Sequence, residues 1–454
     1  MELKQPFLNN MKKLLGKDYQ NYIDSFSCAS KRGLRVNKNY LDYPKFEDIF
    51  EFPVKKIEKF EGIYILGSEQ KIGNSVYHHA GMIYLQEPSS MLAVMALDVK
   101  SQDKVLDLCA APGGKTSQIL EKVDGELVIS NEIVYNRANI LISNIERQGF
   151  KNSIVTCLDA ESLAQEFPNY FDKILVDAPC SGEGMFRRDP QTIDEWNEGL
   201  LEFNHQRQLE ILNQADLMLK QNGYLLYSTC TFNKQENEQT VIKFCLEKGY
   251  RICSLDKKIK AVTRRGFKNN DFDDLAKTAR CFPQDGFGEG QFIALLQKFS
   301  LNLKEENRRK KSIFSELSRN EKQLAKEFLK QTINRDDLYL YKLNNNLYVS
   351  EIEVPKISKG VLSLGVKLGQ VEKNRLVPHH QFFKAYGKSF LNQVELSKED
   401  SYKYLYGLEL ENKTNIKGYA LVLFEGVPLG GVKASNNTLK NHYPKGLRNL
   451  KLEI

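Results

Sequence analysis

Between about residues 100 and 300 the hydrophobic positions fall into short runs, each followed by a longer stretch with helical spacing. KVLDLCA (104–110), ELVISNE (126–132), SIVTCLDA (153–160), DKILVDAP (172–179) and GYLLYSTC (223–230) are five such runs. Each ends in an acidic, small or cysteine residue. Apolar runs of this length, bounded by polar turns, read as buried strands. The intervening stretches are amphipathic, the longest from about Thr192 to Lys220, where Leu209, Leu212, Ala215 and Leu219 recur at helical intervals. Strand and helix in alternation predict an α/β unit, a Rossmann-like doubly wound parallel sheet. QFIALLQK (291–298) supplies a return strand that closes it.

The flanks follow other patterns. Residues 1–95 mix helical and extended segments, opening with an amphipathic helix in MELKQPFLNNMKKLLGKDY and containing the basic run KRGLRVNKNY (31–40). After the return strand, the charge-dense KEENRRKKS (304–312) reads as a linker or helix start. A helical segment from Ser315 to Lys330 and short strands around YLYKLNNNLYVS (339–350) follow. The last seventy residues alternate strand signals with Gly and Pro turns, as a small β-barrel does. The expected boundaries are therefore 1–95, 96–300, 301–384 and 385–454.

Composition narrows the class. With 454 residues, 41% of them hydrophobic, the chain buries enough surface for several domains. No run of eighteen apolar residues exists, which excludes a membrane-spanning helix, and the N-terminus lacks the apolar core of a secretion signal. Eight cysteines without a C-x-x-C pair, and six histidines without H-E-x-x-H, point to reduced thiols in a cytoplasmic protein and to no metal. Charge is uneven. Of 65 Lys and Arg and 58 Asp and Glu, residues 301–454 hold 27 and 17, so the basic excess lies in the C-terminal third. Such an excess predicts an anionic partner, most simply nucleic acid.

The strand ends carry the chemistry. The first run delivers Asp107 into LCAAPGGKT, where Gly113 and Gly114 permit close backbone approach before a helix. Glu132 lies 19 residues beyond Gly113, near the spacing at which an acidic residue takes ribose hydroxyls in such folds. Asp159 and Asp177 end the third and fourth runs, so carboxylates line one rim. PGGKT followed by ILVD imitates the phosphate loop of an ATPase, but Cys109 stands where that motif needs glycine. Several carboxylates repel phosphates and suit hydroxyls, an adenine and a cationic sulfonium. S-adenosylmethionine fits better than ATP.

Two cysteines, Cys180 and Cys230, project from neighbouring strand ends on the same rim, whereas Cys157, Cys245, Cys253, Cys109 and Cys281 read as small buried hydrophobes. Adding a thiolate to pyrimidine C6 breaks the ring's aromaticity and makes C5 nucleophilic towards a methyl donor. That chemistry asks for a thiolate, a carboxyl at the base's N3 and amino edge, and a base for the C5 proton. A cysteine of ordinary pKa (~8.5) is only a few per cent ionised at neutral pH, so Lys115 or desolvation must assist. A buried Asp177 with a raised pKa would donate to N3 as the adduct forms.

CAAPGGKT, DAPCSGEG and YSTCTF together resemble the motifs of RNA 5-methylcytosine methyltransferases, the group that includes bacterial 16S rRNA methyltransferases of the RsmF type and the eukaryotic NSUN enzymes. YLQEPSSMLAVMALD (84–98) and RCFPQDGFGEGQFIALL (280–296) are similar to further segments of the family. GVPLGGVK with LKNHYPKGLR resembles the PUA-like RNA-binding module of the RsmF branch. Gln291 departs from the aromatic often found after GEG.

The resemblance implies a Rossmann-like methyltransferase domain between an N-terminal α+β RNA-binding domain and a C-terminal PUA-like β-barrel. It implies that the T-C cysteine, Cys230, is the nucleophile and the P-C cysteine, Cys180, assists product release. By position it assigns Cys109, Ala110, Ala111, Pro112, Gly113, Gly114, Lys115, Glu132, Asp159 and Asp177, with Arg137 in support, to the S-adenosylmethionine site. The implied partner is small-subunit ribosomal RNA or its assembly intermediate, bound by a monomer. A tRNA substrate, or a non-catalytic RNA-binding role, are the alternatives. Expected RNA contacts are Arg32, Arg35, Arg187, Arg188, Lys440, Lys445 and Arg448; phosphate contacts of this kind give salt-dependent affinity. The target base must be flipped or taken from a loop.

Overall fold

The computed structural model describes residues 2–67, 70–269, 272–300 and 311–448; most of the charged run expected as a linker lies outside the described residues. The five predicted strands form: β1 (Val105–Asp107), β2 (Val128–Asn131), β3 (Ser153–Thr156), β4 (Phe171–Asp177) and β5 (Leu219–Thr229), with the return strand β6 (Gln291–Lys298). Their spatial order is β3-β2-β1-β4-β5-β6, the first five parallel and β6 antiparallel to β5. The order reverses between β1 and β4, so the switch point where such sheets bind ligands lies between Asp107 and Asp177. Both faces are covered. On one side α1 (Gly114–Leu120) and α2 (Tyr135–Arg147) bury Ile119, Leu120, Leu141 and Ile145; on the other α3 (Ala160–Glu166) and α4 (Glu198–Met218) bury Leu163, Leu209 and Leu212.

The predicted helix over 192–220 is broken twice. A short turn of helix (Gln191–Glu195) stops at Trp196, and Asn197 restarts the chain by accepting the Leu200 N–H at 3.0 Å, an N-cap. At the other end Leu219, helical by spacing, begins β5 and fills the same core from the strand. A period-3.6 pattern cannot reveal a helix that turns straight into a strand without exposing its last apolar residue.

Two features cross the expected boundaries. The helix Pro88–Leu97, N-capped by Glu87, spans residue 95 and packs its Met91, Leu92 and Val94 into the core against the central sheet. Val361–Leu364, far along the chain, pairs antiparallel with β3 and covers that sheet edge. On either side of Val361–Leu364 in the chain come the capping-box helix Arg319–Ile333, where Ser318 and Glu321 cap each other, and the strands of a four-stranded sheet (Tyr339–Leu343, Asn346–Ser350, Val366–Glu372, Arg375–Pro378).

The N-terminal domain is a four-stranded antiparallel sheet ordered Val54–Lys56, Ile63–Leu66, Arg32–Val36, Ile83–Gln86. The C-terminal PUA-like module is a curled sheet of five strands, Gln393–Glu395, Gly418–Phe424, Val427–Ala434, Thr438–Asn441 and Leu410–Glu411. These two ends of the chain share one hydrophobic core: Leu34, Phe46 and Tyr77 pack with Tyr404, Val422 and Phe424. The Tyr77 and Phe424 rings meet edge-on, 5.7 Å apart. Beside them the buried Lys384 ammonium donates to the Ala80 carbonyl at 2.6 Å and to that of Pro428.

Candidate active site

The loop after β1 is shaped by its glycines and a cis Ala111–Pro112 peptide. Gly113 sits at φ +109°, and a Cβ there would strike Leu141 of α2 at 2.9 Å, so only glycine keeps the loop against that helix. Arg137 donates to the Ala111 carbonyl at 3.0 Å and lies 3.4 Å from the Glu132 carboxylate, fixing the loop to the end of β2. Glu132 is 3% exposed. Asp107 is buried as well; it accepts the Thr116 hydroxyl on Oδ2 at 2.7 Å, while Oδ1 has no partner. Burial pushes its carboxyl up to about 7, Thr116 opposing the shift and Asp177 adding to it. Asp159 differs. It is exposed and N-caps α3 by accepting the Ser162 N–H, and that bond holds its carboxyl below the usual range.

At the end of β4, Asp177 receives three donors. Lys115 Nζ meets Oδ2 at 2.7 Å; Ser228 Oγ and Gln291 Nε2 meet Oδ1 at 2.7 and 3.2 Å. Both oxygens act as acceptors here, and the ammonium beside them is that of Lys115. Burial lowers its pKa, but Asp177, Asp107 and Cys230 around it outweigh that, and it ends raised. Ser228 and Gln291 were not singled out as site residues. Gln291 occupies the position that departs from the family pattern, and its amide sits on the central carboxylate.

Cys180 and Cys230 come together, Sγ to Sγ 3.4 Å, at the ends of β4 and β5. Their mutual hydrogen bond and burial push the Cys180 thiol well up, so Cys180 keeps its proton. Two buried glutamates set that spacing, each reaching from one cysteine's surroundings to the other loop. Glu183, three residues after Cys180, accepts the Thr231 hydroxyl at 2.7 Å, the N–H groups of Phe232 and Asn233 at 2.7 and 2.9 Å, and Trp196 Nε1 at 3.1 Å. Glu236, six after Cys230, accepts the Ser181 N–H at 2.9 Å, the Ser181 hydroxyl at 2.5 Å, Gln208 at 2.9 Å and Asn233 at 2.7 Å. Carboxylate acceptors with this many charge-assisted bonds hold a loop rigidly. Neither was legible in the sequence except as polar letters near each motif.

The expected RNA contacts separate. Arg188, Lys440 and Lys445 are exposed, and Lys440 lies directly across from Lys433 in the C-terminal sheet. Arg35 is not a surface cation. It is 4% exposed, paired with Glu121 and bonded to Ser117 Oγ at 2.6 Å, tying the N-terminal sheet to α1. Arg187 is likewise committed, to Glu289 at 3.2 Å and the Cys28 carbonyl at 2.8 Å. Arg32 donates to the Gln70 carbonyl at 2.8 Å, and Arg448 lies half-buried against Gly407. Among the described residues no cluster of side chains is fit to hold a metal, and no helix is long and apolar enough to cross a membrane.

Known proteins share this arrangement. Residues 94–297 match the family described as 16S rRNA methyltransferase RsmB/F, residues 3–88 the N-terminal domain of 16S rRNA methyltransferase RsmF, and residues 391–449 the methyltransferase RsmF PUA domain. Ribosomal RNA small subunit methyltransferase F of Shewanella loihica is 30% identical over 98% of this chain and 96% of its own. That of Aliivibrio salmonicida is 30% identical over 94% and 93%. A methyltransferase homolog protein from Pyrococcus horikoshii superposes on 65% of this chain and 95% of its own, with a TM-score of 0.56 and 26% identity. The chain belongs to the RsmB/F family of 16S rRNA methyltransferases and is of the RsmF type.

Proposed function

We propose that this enzyme methylates C5 of a cytosine in 16S rRNA through a covalent adduct between Cys230 Sγ and C6 of the base. The observation that carries the reading is the pair of sulfurs 3.4 Å apart beside the Lys115–Asp177 ion pair. The nucleophilic role goes to Cys230 as the cysteine of the T-C motif, where the family resemblance puts it, with the Cys180 thiol, pushed up by its bond to Cys230 and by burial, beside it.

The cofactor that fits is S-adenosylmethionine, held by the 109–114 loop, Glu132 with Arg137, and Asp107, and it supplies an electrophilic methyl group when bound. The fit rests on the donor set. Asp107 has a buried oxygen without a partner, and the carboxylates of Asp107, Glu132 and Asp177 on one rim accept from hydroxyls and attract a cation while repelling phosphate. Asp159, spent on its helix cap and exposed, is assigned the outer edge of that site.

The protein's own residues perform the rest. Cys230 attacks as its thiolate, the thiol proton having passed to water. As Sγ bonds to C6, the Lys115 ammonium gives a proton to N3, and Asp177, held by Ser228 and Gln291, fixes that ammonium and accepts from the base's amino group. The ring then carries its electron density at C5, where methylation occurs. When water takes the C5 proton, the C–H pair re-forms the C5–C6 double bond, the C6–S bond breaks with its electron pair returning to Cys230, and N3 gives its proton back to Lys115. The adjacent Cys180 S–H hydrogen-bonds the departing thiolate, which is how it assists release. We further assign the protein to the cytoplasm, acting as a monomer on the rRNA or on an assembling small subunit.

The test is covalent trapping on 16S rRNA transcripts containing 5-fluorocytidine, since fluorine at C5 blocks the last elimination. Wild type and Cys180→Ala are expected to give a band stable on a denaturing gel in the presence of S-adenosylmethionine, and Cys230→Ala none. Loss of the band in Cys180→Ala alone would exchange the two roles. Absence of a band with rRNA but its presence with tRNA would move the substrate.

A further inference from the structure

Behind the loop of Cys230, residues of the N-terminal helical segment and the segment 283–289 enclose a cleft of about 500 Å³. That is a volume suited to a small ligand or one nucleotide. Its polar groups are buried and incompletely used. Arg187 and Glu289 have side chains only 8% and 2% exposed. Arg187 Nε and both amide atoms of Gln284 are buried without a hydrogen-bond partner, and Glu289 Oε2 meets only the Arg187 guanidinium, at 3.2 Å. An orphaned buried polar atom costs about 1–3 kcal/mol, so several facing one cleft mark a place where a partner binds.

These groups are also fixed in place. Glu289 Oε1 accepts the Lys31 N–H at 2.8 Å, and Arg187 Nη2 donates to the carbonyls of Cys28 and Ala29 at 2.8 and 3.3 Å. The free donor and acceptor positions are therefore preorganised rather than loose.

The cleft shares its walls with the reaction site. Glu289 stands two residues before Gln291, whose amide meets Asp177, a step of roughly 7 Å along extended chain. On the other wall Gly184, three residues before Arg187, donates its N–H to the Cys230 carbonyl at 2.8 Å. The cleft and the reaction site are therefore joined through the segments 184–187 and 289–291.

We propose that the cleft is a subsite for the base of an unpaired nucleotide flanking the target cytosine, an inference that rests on the RNA methyltransferase reading above. A base edge offers donors and acceptors side by side, and unpaired RNA bases are read on such edges. Glu289 accepts from a ring N–H or amine, while Arg187 Nε and the Gln284 amide donate to a carbonyl. Guanine, which carries all of these on one edge, matches best. The lining sets the carboxylates Glu289 and Asp24 beside the cations Lys31, Arg187 and Arg264, so it offers acceptors as well as donors, which a base edge answers and a bare phosphate, having no N–H to give, does not.

The experiment uses the full chain and a short labelled RNA containing the cytosine mapped by trapping. Each of the three nucleotides on either side is replaced in turn by an abasic residue, and Kd is measured by fluorescence anisotropy with methylation followed on the same RNAs. One position is expected to weaken wild-type binding about tenfold when abasic. Gln284→Met should weaken the unmodified RNA by a similar factor, and the abasic change should then add nothing. Gln284→Ala, checked like Gln284→Met for an unchanged melting temperature, repeats the test with a smaller side chain. If every abasic penalty is the same in wild type and both variants while wild type still methylates the RNA, the subsite is overturned and the activity stands. If wild type neither binds nor methylates the RNA, both fall.

Discussion

Asp107 is a carboxyl kept out of water with one oxygen unanswered, and its proton is the most consequential one in the cofactor loop. Its folded-state pKa of about 7 lies above the ordinary aspartate value of about 3.9. Below pH 4 both folded and unfolded chains hold the proton, and above pH 7 neither does. Between the two the folded state binds more protons, so stability falls as pH rises through that window, by on the order of 1.4 kcal/mol for each unit separating the two values. Asp107→Asn keeps the acceptor for Thr116 and cannot ionise. Urea unfolding of the ligand-free protein at pH 4.5 and pH 7.5 should therefore show a smaller loss across the window in the variant than in wild type. An equal loss in both proteins would mean that Asp107 is hydrated and titrates normally. The variant should also bind S-adenosylmethionine more weakly at pH 8, where wild type presents a full negative charge.

At the scale of loops and strands, the two cysteine motifs matter less as sequences than as a crossed pair. Glu183 of the P-C loop holds the T-C loop, and Glu236 beyond the T-C loop holds the P-C loop, so neither sulfur is placed by its own strand alone. Glu183→Gln turns an acceptor of four donors into a group that presents an N–H₂ to some of them. We expect a cost of about 2–3 kcal/mol in stability, typical of bonds to a charged acceptor. The methyl-transfer rate should fall further, by up to about 10²-fold for a displacement near 1 Å, with KM for RNA little changed. Single-turnover methylation against the urea midpoint separates the two effects, and an unchanged rate would show that the T-C loop is held elsewhere. The same geometry explains what the sequence disclosed. Asp107, Glu132, Asp177, Cys180 and Cys230 were legible because each ends an apolar run, and parallel strands bring their carboxyl ends to one edge. Gln291 and Ser228 were not, since they stand 114 and 51 positions along the chain from Asp177 and meet it only once the intervening chain has folded. Arg35 misled for a matching reason. An arginine in a basic run reads as solvated until its partner, here Glu121, arrives from another element.

Across the whole molecule, the pattern of four successive modules gives way to a closed arrangement in which the two ends of the chain support each other. The N-terminal sheet is small and by itself buries little, and the C-terminal module is no larger; a domain of that size is marginal alone. Their pooled core, with Phe46, Phe50 and Tyr77 from one side and Tyr404, Val422 and Phe424 from the other, removes that limit. The catalytic sheet is bound into the same body, since Val361–Leu364 completes its edge and Arg35 ties the N-terminal sheet to α1 through Glu121. Both ends of the chain are thereby held at fixed distance from Cys230. Phe424, 3% exposed and edge-on to Tyr77, is the place to test this. Phe424→Ala should cost about 3–5 kcal/mol, as removal of a buried aromatic does. Its distinguishing signature is spatial. Hydrogen exchange should rise together in segments around 34–83 and 396–443, although the substitution lies in only one of them. If protection were lost from 396–443 alone while 34–83 kept its native rates, the ends would be independent modules joined by a contact, and the geometry holding RNA over Cys230 would have to come from the catalytic domain alone.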